Sequence, residues 1–204
     1  MNVGPVIVFG AGGHGKAVIS VLRASGYSVS GVFDDDPSKQ GEKCLGFSVY
    51  GFDNELLARP GLTGVVAVGD NAARREVASR FDHIAWLTLV YPDAYVNPTA
   101  QLGAGTVVFP GALVGAEAEV GAHVVISGAV GHEAVLGDFA QLGPGVQVGG
   151  GAQVGVGVML GIGSVVVPNA HIGDWAVVGA GAAVVSDLPA DCKAFGVPAR
   201  PVGE

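Results

Sequence analysis

The stretch VGHEAVLGDFAQLGPGVQVGGGAQVGVGVMLGIGSVVVPNAHIGDWAVVGAGAAVV, residues 130–185, repeats every six residues. Val130, Leu136, Leu142, Val148, Val154, Leu160, Val166, Ile172, Val178 and Val184 share one phase. Val96, Leu102, Val108, Val114, Val120 and Ile126 extend the pattern upstream. All sixteen positions are Val, Leu or Ile, and eleven are followed directly by Gly. So short and regular a period marks a solenoid, not a helix or an alternating strand. A triangular β-helix explains it: each face carries one short strand and one corner, and one aliphatic side chain per hexad points inward. The glycine that follows is expected near the corner, where it relieves the steric limit on φ. A coil buries its apolar residues only against its neighbours, so many coils are needed. One irregularity stands out: Ile126 to Val130 is four residues, two short of a hexad. It reads either as a tolerated loop shortening or as a distortion beside a functional site, because His132 follows.

Upstream the pattern changes. PVIVFG at 5–10 reads as a buried strand, followed by Gly10-Ala11-Gly12-Gly13-His14-Gly15 and a helix over Lys16–Ala24. Val29–Phe33 reads as a second strand, ending in Asp34-Asp35-Asp36. This is a βαβ unit with G-x-G-x-x-G at its first turn and acids about twenty residues on. Such glycines let a backbone approach a diphosphate at a helix N-terminus, where N–H groups and the helix dipole favour an anion. A further strand at Gly64–Gly69 leads into a helix from about Asn71 to Phe81. That is too little for both halves of a dinucleotide, so a mononucleotide ligand fits better. His14 could donate to a phosphate, Asp34–Asp36 could accept from a base or ribose, and Asp70-Asn71 would border the same crevice. The two domains expected are a Rossmann-like α/β domain over 1–90 and an all-β domain over 91–204.

Composition limits the function classes. Half of the 204 residues are apolar, 14% are charged and the formal net charge is −8. An acidic chain without a Lys/Arg run argues against nucleic acid and anionic membranes as partners. MNVGPVIVFGAGG has no basic n-region or cleavage pattern and is read as no signal peptide. No apolar run is long enough to span a bilayer. Cys44 and Cys192 lack framework spacing and read as reduced thiols of a cytoplasmic protein. The spacing of His123, His132 and His171 does not suit a three-histidine zinc site, so no metal is expected.

Five segments, FGAGGHGKAV (9–18), VFDDDPSKQG (32–41), VAVGDN (66–71), VGHEAVLGDF (130–139) and FGVPARPV (195–202), together resemble the hexapeptide-repeat nucleotide-sugar and sialic-acid acetyltransferases of bacterial surface-glycan synthesis. The resemblance implies a left-handed parallel β-helix with three hexads per coil, hence about five coils. It also implies a homotrimer with acetyl-CoA between adjacent β-helices, and a UDP-linked 4-amino sugar as acceptor. By match, Gly10, Gly12, Gly13, His14 and Gly15 contact the diphosphate or sugar, and Asp34, Asp35 and Asp36 the base or ribose. His132 becomes the general base and Glu133 its orienting carboxylate. Adjacent strand residues point to opposite faces, so Glu133 reaches His132 only through a backbone kink or from a neighbouring chain. Two departures from the family pattern bear on the acceptor. A second histidine that donates to the thioester carbonyl is replaced by Gln141, whose amide can still donate. An Asn-Thr pair before the catalytic histidine is replaced by Ile126-Ser127. For CoA the resemblance points to Gly150, Ile162 and Ala180, and to Gly196-Val197-Pro198-Ala199, with Arg200 facing either the CoA phosphates or solvent. An O-acetyltransferase of the sialic-acid type and a non-catalytic nucleotide-sugar-binding protein remain open alternatives.

Overall fold

The computed structural model describes residues 4–202. Met1–Val3, the start of the stretch read for a leader, and Gly203–Glu204 lie outside them. The chain divides into two compact units, residues 1–92 and 93–204.

In the first unit β1 (Val6–Phe9) leads into α1 (Gly13–Ala24) and β2 (Val29–Phe33). The hairpin β3 (Lys43–Cys44) and β4 (Phe47–Tyr50) follows, then a 3-10 turn (Glu55–Ala58), β5 (Thr63–Val66), α2 (Asn71–Arg80) and β6 (Ala85–Trp86). The strand order is β3-β4-β2-β1-β5-β6. Every pairing except the β3–β4 hairpin is parallel. The sheet is therefore wider than the one βαβ unit and single extra strand–helix segment expected. Strands of two to four residues carry too little alternation to announce themselves. Leu45 (φ 48°) and Gly46 (φ 91°) make the hairpin turn, the two positive φ angles that a tight two-residue connection requires. α1 starts at Gly13, earlier than Lys16, so His14 and Gly15 lie in its first turn.

In the second unit each hexad is a two-residue strand followed by a corner. The first face stacks 95–96, 113–114, 129–130, 147–148, 165–166 and 183–184. The second stacks 101–102, 119–120, 135–136, 153–154 and 171–172. The third stacks 107–108, 125–126, 141–142, 159–160, 177–178 and 193–195. Visiting three parallel ladders in rotation makes a triangular prism. The inward residues from Val108 to Val184 are at most 5% exposed, each contributing about 1.5–3 kcal/mol of apolar burial. A second buried row was not visible in the hexad count. Ala118, Ala134, Ala152 and Ala170 stack beneath the corner between the first and second faces, at most 5% exposed.

The corner glycines have a different reason from the one expected. Those directly after the inward residue do not have positive φ. They are glycine because the next coil is too close. A Cβ on Gly137 would stand 2.5 Å from Val156 N, and one on Gly161 2.6 Å from Ala180 N. Positive φ falls two residues later, at Glu117, His123, Glu133, Phe139, Asn169 and Trp175 as well as at glycines such as Gly145 and Gly163. The shortened hexad is a tight corner, Ser127-Gly128. Register drops from eighteen residues (Val107 to Val125) to sixteen (Leu113 to Ala129), then returns to eighteen (Ala129 to Gln147). The His132 corner itself keeps four residues, 131–134.

Coil spacing therefore predicts unequal costs for two alanine substitutions. Gly137→Ala should lower stability in urea denaturation by about 3 kcal/mol. Gly163→Ala, at positive φ but with open space around it, should cost about 1 kcal/mol. The reverse order would show that φ, not coil spacing, demands the glycine.

Candidate active site

His132 and Glu133 occupy a turn between the first and second faces, not a strand. Glu133 has φ 57°. This left-handed residue is the kink that lets neighbouring side chains meet: Glu133 Oε2 lies 2.9 Å from His132 Nδ1 within one chain. A carboxylate only accepts hydrogen bonds, so the pairing holds the proton on Nδ1 and leaves the Nε2 lone pair free. Backbone bonds fix the corner from both sides. Glu133 N–H donates to Ala116 O (2.8 Å), and His132 O accepts from Gly151 N–H (2.9 Å). Both side chains are more than 60% exposed.

Gly150 lies under this imidazole. A Cβ there would stand 2.5 Å from His132 Nε2 and 2.6 Å from Cε1. The glycine expected to touch CoA thus also forms the shelf for the ring. Gln141 is elsewhere, half-buried and outward-facing on the third face between Val125 and Met159. In a triangular prism that face lies opposite the His132 corner, so one chain does not bring Gln141 and His132 together. Ile162, 63% exposed, and Ala180 lie on corners between the third and first faces. The 196–199 segment joins the hairpin of 193–195 and 200–202, and is tied to the last coil by Ala183 N–H to Gly196 O (3.0 Å) and Ala199 N–H to Ala183 O (2.7 Å). Arg200 is exposed and bonds the Ala199 carbonyl. His123 is buried and stacked on Phe139 at 5.3 Å, and His171 is exposed.

The first unit presents its candidates at the carboxyl ends of β1, β2 and β5, where the strand order reverses and open α/β sheets bind ligands. The glycines divide by task. A Cβ on Gly10 would meet the Ala67 carbonyl at 2.6 Å, and one on Gly15 would collide with the Gly10 carbonyl, so both serve packing. Gly12 and Gly13 face open space. Gly12 caps α1 without a side-chain bond, and the first turn holds no acid, leaving a positive helix end suited to an anion.

The acids also divide. Asp34 is buried and already engaged: its carboxylate accepts from Ala11 N–H (2.7 Å), Asp36 N–H (3.0 Å) and Lys39 Nζ (3.1 Å). It ties the glycine loop to the end of β2. Asp36 accepts from Ser38 N–H and Oγ, and these bonds hold its pKa below the usual carboxylate range. Asp70 caps α2 by accepting from Ala73 N–H, and Asn71 Oδ1 accepts from Arg74. Asp35 remains exposed at a small cleft with Gly10, Phe52, Val68, Glu76 and Arg80.

Arg74 escaped the sequence reading. It is 1% exposed, bonding Val68 O at 3.1 Å and Asn71 Oδ1 at 2.9 Å. The signal was its spacing: 71, 74 and 78 share the buried stripe of α2. Burial lowers its pKa to about 10, so it stays charged at neutral pH. Burial and this neighbouring charge lower the His14 pKa to about 4, and the His14 Nε2 is buried. His14 is thus a neutral ring packed beside Gly69, not a cation offered to solvent.

Among the described residues no cluster of three His, Cys, Asp or Glu could hold a metal, and no helix is long and apolar enough to cross a membrane. Cys44 and Cys192 are free.

The His14 shift has a sign that can be tested. The unfolded chain takes up this proton near pH 6.5, the folded chain only near pH 4. Acid therefore favours unfolding, and the contribution of neutral His14 is lost as pH falls from about 6.5 to 4. Urea midpoints for wild type should fall across that window, and His14→Gln should flatten the slope there.

The family model of the PglD N-terminal domain matches residues 5–81. A UDP-N-acetylbacillosamine N-acetyltransferase from Bacillus subtilis is 34% identical over 108 residues, half of this chain and half of that protein's length. The chain thus spans about half the length of that curated relative. Among solved structures, a variant of perosamine N-acetyltransferase from Caulobacter crescentus, in complex with CoA and GDP-perosamine, superposes with a TM-score of 0.93. It is 36% identical, over 99% of this chain and 98% of the other. The acetyltransferase domain of PglB from Neisseria gonorrhoeae, in complex with acetyl coenzyme A, is 32% identical with a TM-score of 0.89, over 97% and 98%. With that likeness along nearly its whole length, and a hexad prism carrying a paired His132 and Glu133, the chain belongs to the hexapeptide-repeat nucleotide-sugar acetyltransferase family.

Proposed function

We propose that this protein transfers the acetyl group of acetyl-CoA to the amino group of a nucleotide-linked sugar, the 4-amino group by family resemblance, with His132 as general base. The observation that carries the mechanism is the 2.9 Å contact between Glu133 Oε2 and His132 Nδ1, which leaves Nε2 as the proton acceptor. The neutral amine attacks the thioester carbonyl carbon, and its proton passes to Nε2. The C–S bond then breaks, and the imidazolium returns the proton to the departing CoA sulfur. Glu133 stabilises that imidazolium as a carboxylate does in a triad. The Gln141 amide donates to the developing oxyanion, a neutral donor in place of a cationic one. The sugar nucleotide binds the first unit, its diphosphate at the α1 N-terminus beside Gly12 and Gly13, where the uncapped helix end supports the assignment. The Bacillus relative is named for a UDP-linked sugar and the Caulobacter structure holds a GDP-linked one; the two share the diphosphate and differ in the base.

The working form is a cytoplasmic homotrimer. Within one chain Gln141 and His132 lie on opposite sides of the prism, so joint action requires two copies. Tyr95, Leu113 and Val165 expose apolar surface along the first face, at 53%, 43% and 39%. A contact between unlike faces of neighbouring copies closes as a ring when the rotation allows. CoA then lies between copies along Ile162, Ala180 and the 196–199 segment.

The experiment follows CoA thiol release from acetyl-CoA with 4-amino sugars linked to UDP or to GDP. Wild type should turn over one of them to an acetylated product that resists mild hydroxylamine, as an amide does. His132→Ala should lower kcat by about 10²–10⁴. Gly150→Ala, which crowds the imidazole, should lower it by about 10² with little change in Tm. A hydroxylamine-labile product would favour the O-acetyl reading, and undiminished turnover in His132→Ala would refute the mechanism.

A further inference from the structure

The cleft at the end of β1 and β2 and the loop beside it hold polar side chains in two conditions. Asp34, Asp36 and Lys39 are bound to one another and to the backbone. Asp35, Glu76 and Arg80 line the cleft itself, and among the described residues their side chains make no hydrogen bond or ion pair. Glu76 and Arg80 are four residues apart on α2, the spacing at which opposite charges pair on a helix surface. Here they do not. The Arg80 guanidinium lies over the rings of Phe52 and Phe81 instead, 5.3 and 5.6 Å from their centroids. A fixed cation, a neighbouring carboxylate and an aromatic ring thus face one small cleft with their hydrogen-bonding capacity unused.

We infer that this cleft selects guanine: Glu76 accepts from N1–H and the 2-amino group, and Arg80 donates to O6 and N7. The inference rests on the proposed nucleotide-sugar reading and deepens it. A carboxylate beside a guanidinium offers two acceptors followed by two donors. Guanine, read from its 2-amino group round to N7, offers two donors followed by two acceptors, and arginine on O6/N7 is a strong bidentate pair. Uracil presents acceptor, donor, acceptor across O2, N3–H and O4. It would set a carbonyl against the Glu76 carboxylate and leave part of the guanidinium unmatched. Phe52 supplies a stacking face. Asp35 follows β2, where nucleotide-binding α/β folds place an acid on the ribose hydroxyls, and its carboxylate is the one in that acidic run still unengaged.

The test measures binding of GDP, IDP and UDP to the full chain, so it does not depend on turnover. IDP is GDP without the 2-amino group. Wild type should bind GDP at least tenfold more tightly than UDP, and IDP about tenfold more weakly than GDP. Glu76→Gln should erase the GDP–IDP difference and leave UDP unchanged. Arg80→Met should weaken GDP and IDP together and spare UDP. UDP binding as tight as GDP, or Glu76→Gln weakening all three ligands equally, would overturn the guanine assignment while leaving a nucleotide site in place. Binding of none of the three would overturn the nucleotide-sugar reading, and this one with it.

Discussion

Successive coils of the prism lie one parallel-ladder spacing apart, about 4.8 Å, and most of the second unit follows from that distance. At the glycine corners that follow most inward residues, the next coil leaves no room for a Cβ. Two residues later the chain must take a left-handed turn to start the next face. His132 stands between these two demands, with Gly131 before it and left-handed Glu133 after it. The turn aims Glu133 back at the imidazole, and the same spacing brings Gly150 of the following coil beneath the ring. The proposed base is thus held by the geometry that makes the prism.

In the first unit, buried charged groups fix the loops at the carboxyl ends of the strands. Arg74 is buried and donates to the Val68 carbonyl and to Asn71 Oδ1. That fixes the loop after β5, and burial together with the Arg74 charge keeps His14 neutral. Asp34 fixes the glycine loop from the other side. With these groups committed to structure, the α1 N-terminus, Asp35, Glu76 and Arg80 are the groups left for the proposed nucleotide recognition. Which acids remain unengaged after folding matters more than how many the sequence contains.

A single chain holds half of the proposed chemistry. The His132 corner and the third face that carries Gln141 are separated by the width of the prism. The exposed first-face residues Leu113 and Val165 are the kind of surface a second copy covers. Replacing a cationic donor by an amide weakens charge stabilisation of the oxyanion but keeps the hydrogen bond. The proposed mechanism therefore leans more heavily on the His132–Glu133 pair.

The hexad phase, the two-unit division and the strand–glycine–helix start were legible in the sequence, because each is a local periodic pattern that backbone sterics and burial impose directly. His132 stood out as an imidazole beside an acid in a repeat of small apolar residues. What the sequence could not carry was contact between distant residues. The wide sheet depends on two- to four-residue strands whose pairing is non-local. The buried Arg74 sits in a helix that is polar by composition. Asp34, Asp35 and Asp36 look equivalent as letters, and only the fold binds the first to the glycine loop and caps the third with Ser38, leaving the second exposed. Likewise the eight residues between His132 and Gln141 suggest neighbours, but two corners of a triangular coil turn that short separation into opposite sides of the prism.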